Sequence, residues 1–254
     1  MTAQEESSAR QTGAKTRTID SAQSSNPLDW RLRSVDHQKY IENKARPGAL
    51  HRLIAGLFGQ GKEVKTDEST RPEFEIHHSY NGRPWCLGLD HYHYLVSRGL
   101  SPKQKFLDIG CGALRTGVHI IDYLDSGNYV GIDAHQAAID VALNYEVPMN
   151  RLENKSPRLL QEADFDLQRL EEKFDWVFAF AVVNHLDDET FDKAFKAFRD
   201  VLKPNAKLVL SPKPRVSLEK IRDDYGFCLV NEEVRNCKLT DSDIHWFEFS
   251  LLDS

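Results

Sequence analysis

The stretch FLDIGCGALRTG at residues 106–117 is the part of the chain whose residue types and spacing point most directly to chemistry. Apolar residues run up to Asp108, glycines follow at Gly110 and Gly112, and a segment with helical periodicity begins directly afterwards. A glycine-rich turn between a strand and a helix lets the backbone pass close to a ligand, and free N–H groups at the helix start can bind it. The stretch therefore predicts a site for a nucleotide-like cofactor.

The spacing disfavours two common cofactor loops. The dinucleotide fingerprint needs a third glycine at position 115, where this chain has Arg115, so NAD and FAD are disfavoured. The G-x-x-x-x-G-K-[ST] loop of ATPases does not occur in the sequence.

Two further carboxylates follow later strand-like runs. Asp133 ends YVGID and lies 21 residues after Gly112, near the roughly 20-residue spacing at which an acid meets a ribose diol. Asp164 ends a third strand-like run within RLLQEADFDL. Because carboxyl ends of adjacent parallel strands meet at one crevice, Asp108, Asp133 and Asp164 should line one adenosine-sized site. Alternatively, Asp108 and Asp133 could cap the turns that follow them, and Asp164 could be a helix N-cap.

The elements that must position these acids alternate along the chain. From Lys105 onward, strand-like runs and helical patterns follow one another as KFLDI, GVHIIDYL, YVGID, HQAAIDVALNY, RLLQEAD, FDWVFAFAV, DETFDKAFKAFRDVL and KLVLSP. This order predicts an α/β fold, a seven-stranded, mostly parallel, doubly wound Rossmann-like sheet. After a helix at VSLEKIRDDY, the runs FCLVNEEV and HWFEFSLL should pair as an antiparallel hairpin at one sheet edge.

The N-terminal third differs in composition from the rest of the chain. Residues 1–25 are rich in Ser, Thr, Gln and Ala, which predicts a disordered tail. Residues 26–84 carry an apolar stripe at helical spacing before GQGK, which predicts a helical N-terminal cover. Residues 85–254 are predicted to form the main domain.

Composition narrows the functional class. The formal net charge of −6 argues against a general nucleic-acid binder, which needs a basic face. No apolar run approaches the roughly 20 residues that span a bilayer, and the acidic start MTAQEESSAR is unlike a signal peptide, so we expect a cytoplasmic protein with no membrane partner. The four cysteines lack C-x-x-C spacing, which indicates neither a zinc site nor a disulfide framework.

Five motifs in order give the chain a family resemblance. These are LDIGCG, the acid Asp133, the acid Asp164, FDWVFAFAVVNHL as a fourth strand, and DVLKPNAKLVLS leading into a fifth. Over roughly residues 85–254 the chain resembles a class I S-adenosylmethionine-dependent methyltransferase. It departs from the family pattern at Leu114, which replaces a third glycine, and at Asn205 and Ala206, which replace a glycine pair.

The resemblance implies S-adenosylmethionine (SAM) as the cofactor and a role for each acid. Asp108 would meet its methionine end, Asp133 would hold both ribose hydroxyls, and Asp164 would read the adenine. Ala179 would contribute backbone beside the methionine portion. The other implied cofactor contacts are Gly110, Gly112, Phe165, Phe180 and Ala181.

Methyl transfer is an in-line displacement that needs alignment and desolvation and no metal. If the acceptor is a hydroxyl or ammonium, a base helps, and His185 in NHLDD is the best-placed candidate, with Asn184 as a second substrate contact. His185 could instead be a structural histidine at the strand end. The pair His91-x-His93 lacks the accompanying ligands of a metal site.

Acceptor recognition in the family comes largely from the N-terminal extension, so the polar stretch HHSYNGRPWCLGLDHYHYL supplies lid or pocket candidates. The candidates are His77, His78, Tyr80, Trp85, His91, Tyr92 and His93. The helix within this stretch should turn Leu87, Tyr94 and Leu95 to the core and its polar residues to the cleft or solvent.

We therefore predict a methyltransferase acting on oxygen or nitrogen of a small polar metabolite or glycan-like acceptor, because GCGALRTG is similar to bacterial methyltransferases of carbohydrate and secondary metabolites. Nucleic acid is disfavoured as a partner, since the sequence after the fourth strand is NHLD rather than [DN]-P-P-[YFW]. The alternatives are a protein or RNA methyltransferase and a non-catalytic SAM-binding partner protein.

Overall fold

A computed structural model of the chain describes residues 87–237 and 241–252. The predicted tail at 1–25 and helical cover at 26–84 lie outside these residues and stay predictions. The same holds for the lid candidates His77, His78, Tyr80 and Trp85.

The described elements alternate as the sequence predicts. The helices are α1 (Leu87–Ser97), α2 (Gly117–Tyr123), α3 (Gln136–Val141), α4 (Val147–Met149), α5 (Asp188–Val201) and α6 (Leu218–Tyr225). The strands are β1 (Phe106–Ile109), β2 (Tyr129–Asp133), β3 (Arg158–Gln161), β4 (Phe174–Phe180), β5 (Leu202–Ser211), β6 (Phe227–Cys237) and β7 (Ser242–Leu251). A π-helical turn, Ala142–Glu146, joins α3 to α4.

The seven strands form one sheet in the order β3-β2-β1-β4-β5-β7-β6. The strands β1 to β5 pair in parallel, and β7 pairs antiparallel with both β5 and β6. Both the mostly parallel doubly wound sheet and the C-terminal hairpin at its edge are therefore confirmed. The strand order reverses between β1 and β4, and in open α/β sheets ligands bind outside the carboxyl ends of the strands at such a point.

Apolar residues cover both faces of the sheet, as a parallel sheet requires. One core contains the buried residues Leu87 and Leu95 of α1 together with Phe178 and Trp246 of the sheet. The other core lies beneath α5 and α6, where Phe191, Phe195 and Phe198 lie at helical spacing along one face of α5.

Local signals set the bounds of these helices. The Asp187 carboxylate accepts a hydrogen bond from the Thr190 N–H at 2.8 Å and so caps α5. Ser217 caps α6 in the same way, and Gly226 ends α6 with a φ of 75° that favours glycine. Within the described residues, no helix is both long and apolar enough to cross a membrane.

Strand register brings the cofactor candidates to the same edge of the sheet. Asp108 pairs with Gly131 of β2 on one side and with Phe178 of β4 on the other. Two residues further along each strand, Asp133 and Phe180 end β2 and β4 at the same edge. The glycine loop that follows β1 lies between these two strand ends.

Candidate functional site

The glycine loop after β1 is held in a conformation that needs glycine. Gly110 and Gly112 have φ values of 68° and 55°, in the left-handed region that side chains rarely adopt. A Cβ on Gly110 would come within 2.4 Å of Val182 Cγ2, so the loop lies directly against the segment after β4. A larger residue at position 110 would therefore separate the two segments that border the site.

Leu114 has a φ of 66°, so the position at which the family carries its third glycine is left-handed here too. Its side chain is fully buried in the core beside α1 and offsets the backbone strain. Asn205, at the second departure from the family pattern, has a φ of 61°, and asparagine tolerates this region better than most residues. At Leu114 and Asn205 the backbone therefore has the left-handed conformation that glycine adopts without strain.

Asp133 is buried at the end of β2, and its carboxylate is tied to the loop. One oxygen, Oδ2, accepts the Gly112 N–H at 2.9 Å, and Oδ1 accepts the His135 N–H at 2.9 Å. The turn-capping role considered for Asp133 is therefore present. A carboxylate has about four acceptor positions, so about two remain for a diol.

Asp108 is 2% exposed in the middle of the sheet face that carries α1. The Tyr129 hydroxyl donates to Asp108 Oδ2 at 2.7 Å. Burial raises the pKa of Asp108 to about 7, the Tyr129 hydrogen bond opposes this, Asp133 adds to it, and Arg115 lowers it. Near pH 7 the protonated and ionised forms of this carboxyl group are therefore present in similar amounts.

The prediction that Asp164 ends the third strand is wrong. β3 ends at Gln161, opposite Asp133, because β2 offers no further partner beyond that point. Asp164 is exposed in the following turn, where its N–H donates to Glu162 Oε1 at 2.8 Å. It does not cap a helix either, since the residue before the 3₁₀ turn Leu167–Leu170 is Asp166.

Phe165, the predicted cover for the adenine, is half-buried with a φ of 56°. Its ring meets that of Phe198 edge-on, with centroids 5.9 Å apart. The structure thus anchors Phe165 to α5, and its contact with adenine stays a prediction.

The end of β4 contacts α1 through aromatic rings. Phe180 is half-buried, with its ring centroid 4.0 Å from that of His91 and with Arg115 above it at 5.9 Å. Ala181 has a φ of 57°, and its N–H donates to the Ser211 carbonyl at 2.5 Å. The backbone therefore turns sharply after Phe180, at the edge where the glycine loop lies.

His91 corrects the expectation that the polar residues of α1 face the cleft or solvent. The side chain is fully buried, and Nδ1 lies 2.8 Å from Thr116 Oγ1 beside the glycine loop. Leu87, Tyr94 and Leu95 are buried as predicted. Helical spacing offered the missed signal, because His91 lies four residues from both Leu87 and Leu95, on their face of the helix.

Tyr92 lies on a different side of α1 from the one expected for a pocket residue. Its ring packs against those of Tyr123 and His119 of α2, with centroids 5.5 and 6.1 Å apart. Among the described residues of α1, His91 is the one whose ring meets the end of β4.

Asn184 and His185 lie together in the 3₁₀ turn Val183–His185 that follows β4. Asn184 Nδ2 is 3.1 Å from His185 Nε2, so the amide donates when the ring carries its proton on Nδ1. His185 is exposed, whereas Asn184 Oδ1 is buried and has no hydrogen-bond partner among the described residues. A buried amide oxygen of this kind requires a donor.

The chemistry of this residue set fits an S-adenosyl group. The left-handed loop leaves no Cβ between its backbone and the segment after β4, and Asp133 retains acceptor capacity at the expected ribose position. Asp108 offers a buried carboxylate suited to a cationic methionine end, and β4 ends beside it. Asp164 and Phe165 lie further along the same edge.

Comparisons with known proteins agree with this fit. Residues 107–208 match a family model described as a methyltransferase domain. The fold is similar to magnesium protoporphyrin IX methyltransferase from Synechocystis PCC 6803 with bound SAM, with a TM-score of 0.53 and 17% identity over 85% of this chain and 97% of that one.

Two further solved structures share the fold. The glycopeptide N-methyltransferase MtfA, complexed with SAM, matches with a TM-score of 0.53 and 12% identity over 65% of this chain and 94% of its own. The methyltransferase domain of bacterial CtHen1-C matches with a TM-score of 0.52 and 14% identity over 66% of this chain and 98% of its own. The domain match over residues 107–208, this fold and the glycine loop together support a class I SAM-dependent methyltransferase, an enzyme that takes its methyl group from SAM.

Proposed function

We propose that the enzyme transfers the methyl group of SAM to oxygen or nitrogen of a small polar metabolite or a glycan-like acceptor. The observation that carries this acceptor class is the buried Oδ1 of Asn184, an unpaired acceptor beside His185 at the end of β4. A polar group that donates to this oxygen, such as a hydroxyl or an amine, would satisfy it. An apolar acceptor would leave it unpaired at a cost of about 1–3 kcal/mol.

The cofactor set is proposed residue by residue. Asp108, Gly110 and Gly112 would border the methionine portion, and Asp133 would accept from the ribose hydroxyls. The remaining proposed contacts are Asp164, Phe165, Phe180 and Ala181. The close contact between Gly110 and Val182 supports this set, because it joins the cofactor loop to the segment that carries Asn184.

When bound, SAM supplies a methyl group on a sulfonium, which needs little further activation. The protein's contribution is alignment and the exclusion of water. His185 would take the proton that a hydroxyl or ammonium acceptor loses, since its ring is exposed and lies beside Asn184 at the end of β4. Asn184 would then orient the acceptor atom through Oδ1.

The charge and sequence of the chain favour this class over nucleic acid. The net charge of −6 opposes a polyphosphate partner, and NHLD takes the place of the motif used on amino groups of bases. Two structural neighbours are named as a porphyrin methyltransferase and a glycopeptide N-methyltransferase, so acceptor choice varies on this fold. The acceptor class of this chain is therefore inferred from its own residues.

Labelled SAM tests the proposal directly. The purified chain is incubated with methyl-labelled SAM and a metabolite extract separated into small-molecule, glycan, protein and RNA fractions. We expect label in a small-molecule or glycan fraction. The matched control is Asp133→Ala, which should bind SAM more weakly and transfer less label than the wild type at the same SAM concentration.

Label in the protein or RNA fraction alone would overturn the acceptor class while keeping the enzyme. SAM binding without transfer into any fraction would instead support the non-catalytic alternative.

A further inference from the structure

Tyr129 reaches Asp108 from the neighbouring strand through a path that two glycines keep open. Tyr129 starts β2 opposite Phe106, two residues before the level at which Asp108 pairs with Gly131. Two strand residues span roughly 6.6 Å, a distance that a tyrosine side chain can cover along the sheet face. Its hydroxyl arrives 2.7 Å from Asp108 Oδ2.

Gly131 and Gly117 frame this contact. A Cβ on Gly131 would lie 2.9 Å from Leu159 Cδ2 and 3.0 Å from Tyr129 Cε1, and a Cβ on Gly117 would lie 2.5 Å from both Leu114 Cδ2 and the Tyr129 hydroxyl. Neither glycine has a left-handed φ, so side-chain packing rather than backbone conformation accounts for their lack of a side chain. Both glycines therefore leave room for Tyr129 together with its apolar neighbours.

We propose that Tyr129 is a positioning residue of the cofactor site, whose hydroxyl holds the Asp108 carboxylate in place to meet the cationic methionine end of SAM. The proposal rests on the cofactor role of Asp108 proposed above. Both side chains are nearly fully buried, at 1% and 2% exposure, so water cannot replace the hydroxyl without rearrangement.

The surroundings of Asp108 show why a donor is needed there. Asp133 repels its negative charge, and Arg115 attracts it. Cys111 is also close, and burial raises the pKa of its thiol well above the ordinary value, so the thiol stays neutral. Burial likewise raises the pKa of the Tyr129 phenol, which therefore stays protonated as a donor. The Tyr129 hydroxyl supplies such a donor to the Asp108 side chain.

The test compares Tyr129→Phe with Tyr94→Phe. The Tyr94 hydroxyl is also buried and also donates to a carboxylate at 2.7 Å, but to Glu248 on β7, away from Asp108. Binding of S-adenosylhomocysteine, the demethylated product, is measured by calorimetry between pH 5.5 and 9 on the full chain. Circular dichroism checks that each variant is folded.

We expect Tyr129→Phe to weaken product binding about tenfold, as loss of a hydrogen bond to a charged group does. As the pH is lowered, the affinity of this variant should also begin to fall at a higher pH than that of the wild type. The reason is that Asp108 has lost a group that stabilises its ionised form, so it takes up a proton more readily. Tyr94→Phe should keep the wild-type affinity and pH profile.

A double-mutant cycle separates positioning from packing. In an Asp108→Asn background, removal of the Tyr129 hydroxyl should weaken binding by less than twofold, because the charge it positions is gone. Should Tyr129→Phe fail to fold, Gly117→Ala replaces it, since the added Cβ would lie 2.5 Å from the Tyr129 hydroxyl, and the same loss of affinity is expected.

Two outcomes remove the proposal in different ways. Wild-type affinity and pH profile in the folded Tyr129→Phe protein, or an equal loss in Tyr94→Phe, would remove the role of Tyr129 and keep the cofactor site. No binding of SAM or its product by the wild-type chain at any pH would remove the cofactor site and this role together.

Discussion

Replacing Asp108 by asparagine should make the ligand-free protein more stable at pH 8 and less able to bind its cofactor. The carboxylate is 2% exposed, and burial raises its pKa from 3.8 to about 7. Between pH 3.8 and about 7, Asp108 therefore keeps a proton in the folded protein that it has already released in the unfolded chain. The free energy of unfolding of the wild type therefore falls as the pH rises from about 4 to 7 and is level above 7.

A raise of this size corresponds to about 4 kcal/mol of stability lost above pH 7, at roughly 1.4 kcal/mol for each pH unit. Asparagine has nearly the same shape, does not titrate, and can still accept from the Tyr129 hydroxyl. Relaxation around the ionised wild-type group reduces the difference, so we expect Asp108→Asn to be more stable by about 2–4 kcal/mol at pH 8. At pH 5 the difference should be about 40% of its value at pH 8, and it should vanish near pH 4.

Urea unfolding of both proteins at pH 5, 6, 7 and 8 measures the difference directly. Asp187→Asn is the control, because Asp187 is an exposed N-cap and asparagine caps equally well. A stability difference for Asp108→Asn that is the same at pH 5 and pH 8, or a variant less stable than the wild type at pH 8, would refute the reasoning. With saturating S-adenosylhomocysteine the order should reverse, since the wild type binds the ligand more tightly and gains more stability from it.

Three further predictions address the rest of the site. Asp133→Ala should weaken product binding by about 1–3 kcal/mol in calorimetry, whereas Asp140→Ala, an exposed acid on α3, should leave it unchanged. Once an acceptor is found, Asn184→Ala and His185→Ala should lower kcat with nearly unchanged SAM affinity; weakened SAM binding with unchanged turnover would contradict their acceptor role. Leu114→Gly should lower the free energy of unfolding by roughly 2–4 kcal/mol, although it relieves the strain of a φ of 66°. The reason is that burial of the leucine side chain stabilises the fold by more than the backbone strain destabilises it. A variant more stable than the wild type would contradict this reasoning.

The alternation of strand and helix patterns and the glycine loop are local properties, and the sequence alone predicted the sheet and its C-terminal hairpin from them. Asp133 could be identified in the same way, because it ends a short apolar strand whose pairing is fixed by the strands on either side. The position of Asp164 could not, since β3 ends where β2 stops offering partners, and no residue after Gln161 signals that.

Contacts between elements distant in the chain needed the tertiary structure. Helical spacing places His91 on the apolar face of α1, but only the packing of α1 against Thr116 and Phe180 shows which groups it contacts. The hydrogen bond from Tyr129 to Asp108 crosses two strands 21 residues apart and depends on their register and on the space left by two glycines. Sequence periodicity reports which face of its own element a residue occupies, whereas its contact partner is set by the pairing of whole elements. For this reason the sequence alone predicted the glycine loop, and only the fold revealed the Tyr129 hydroxyl that donates to Asp108.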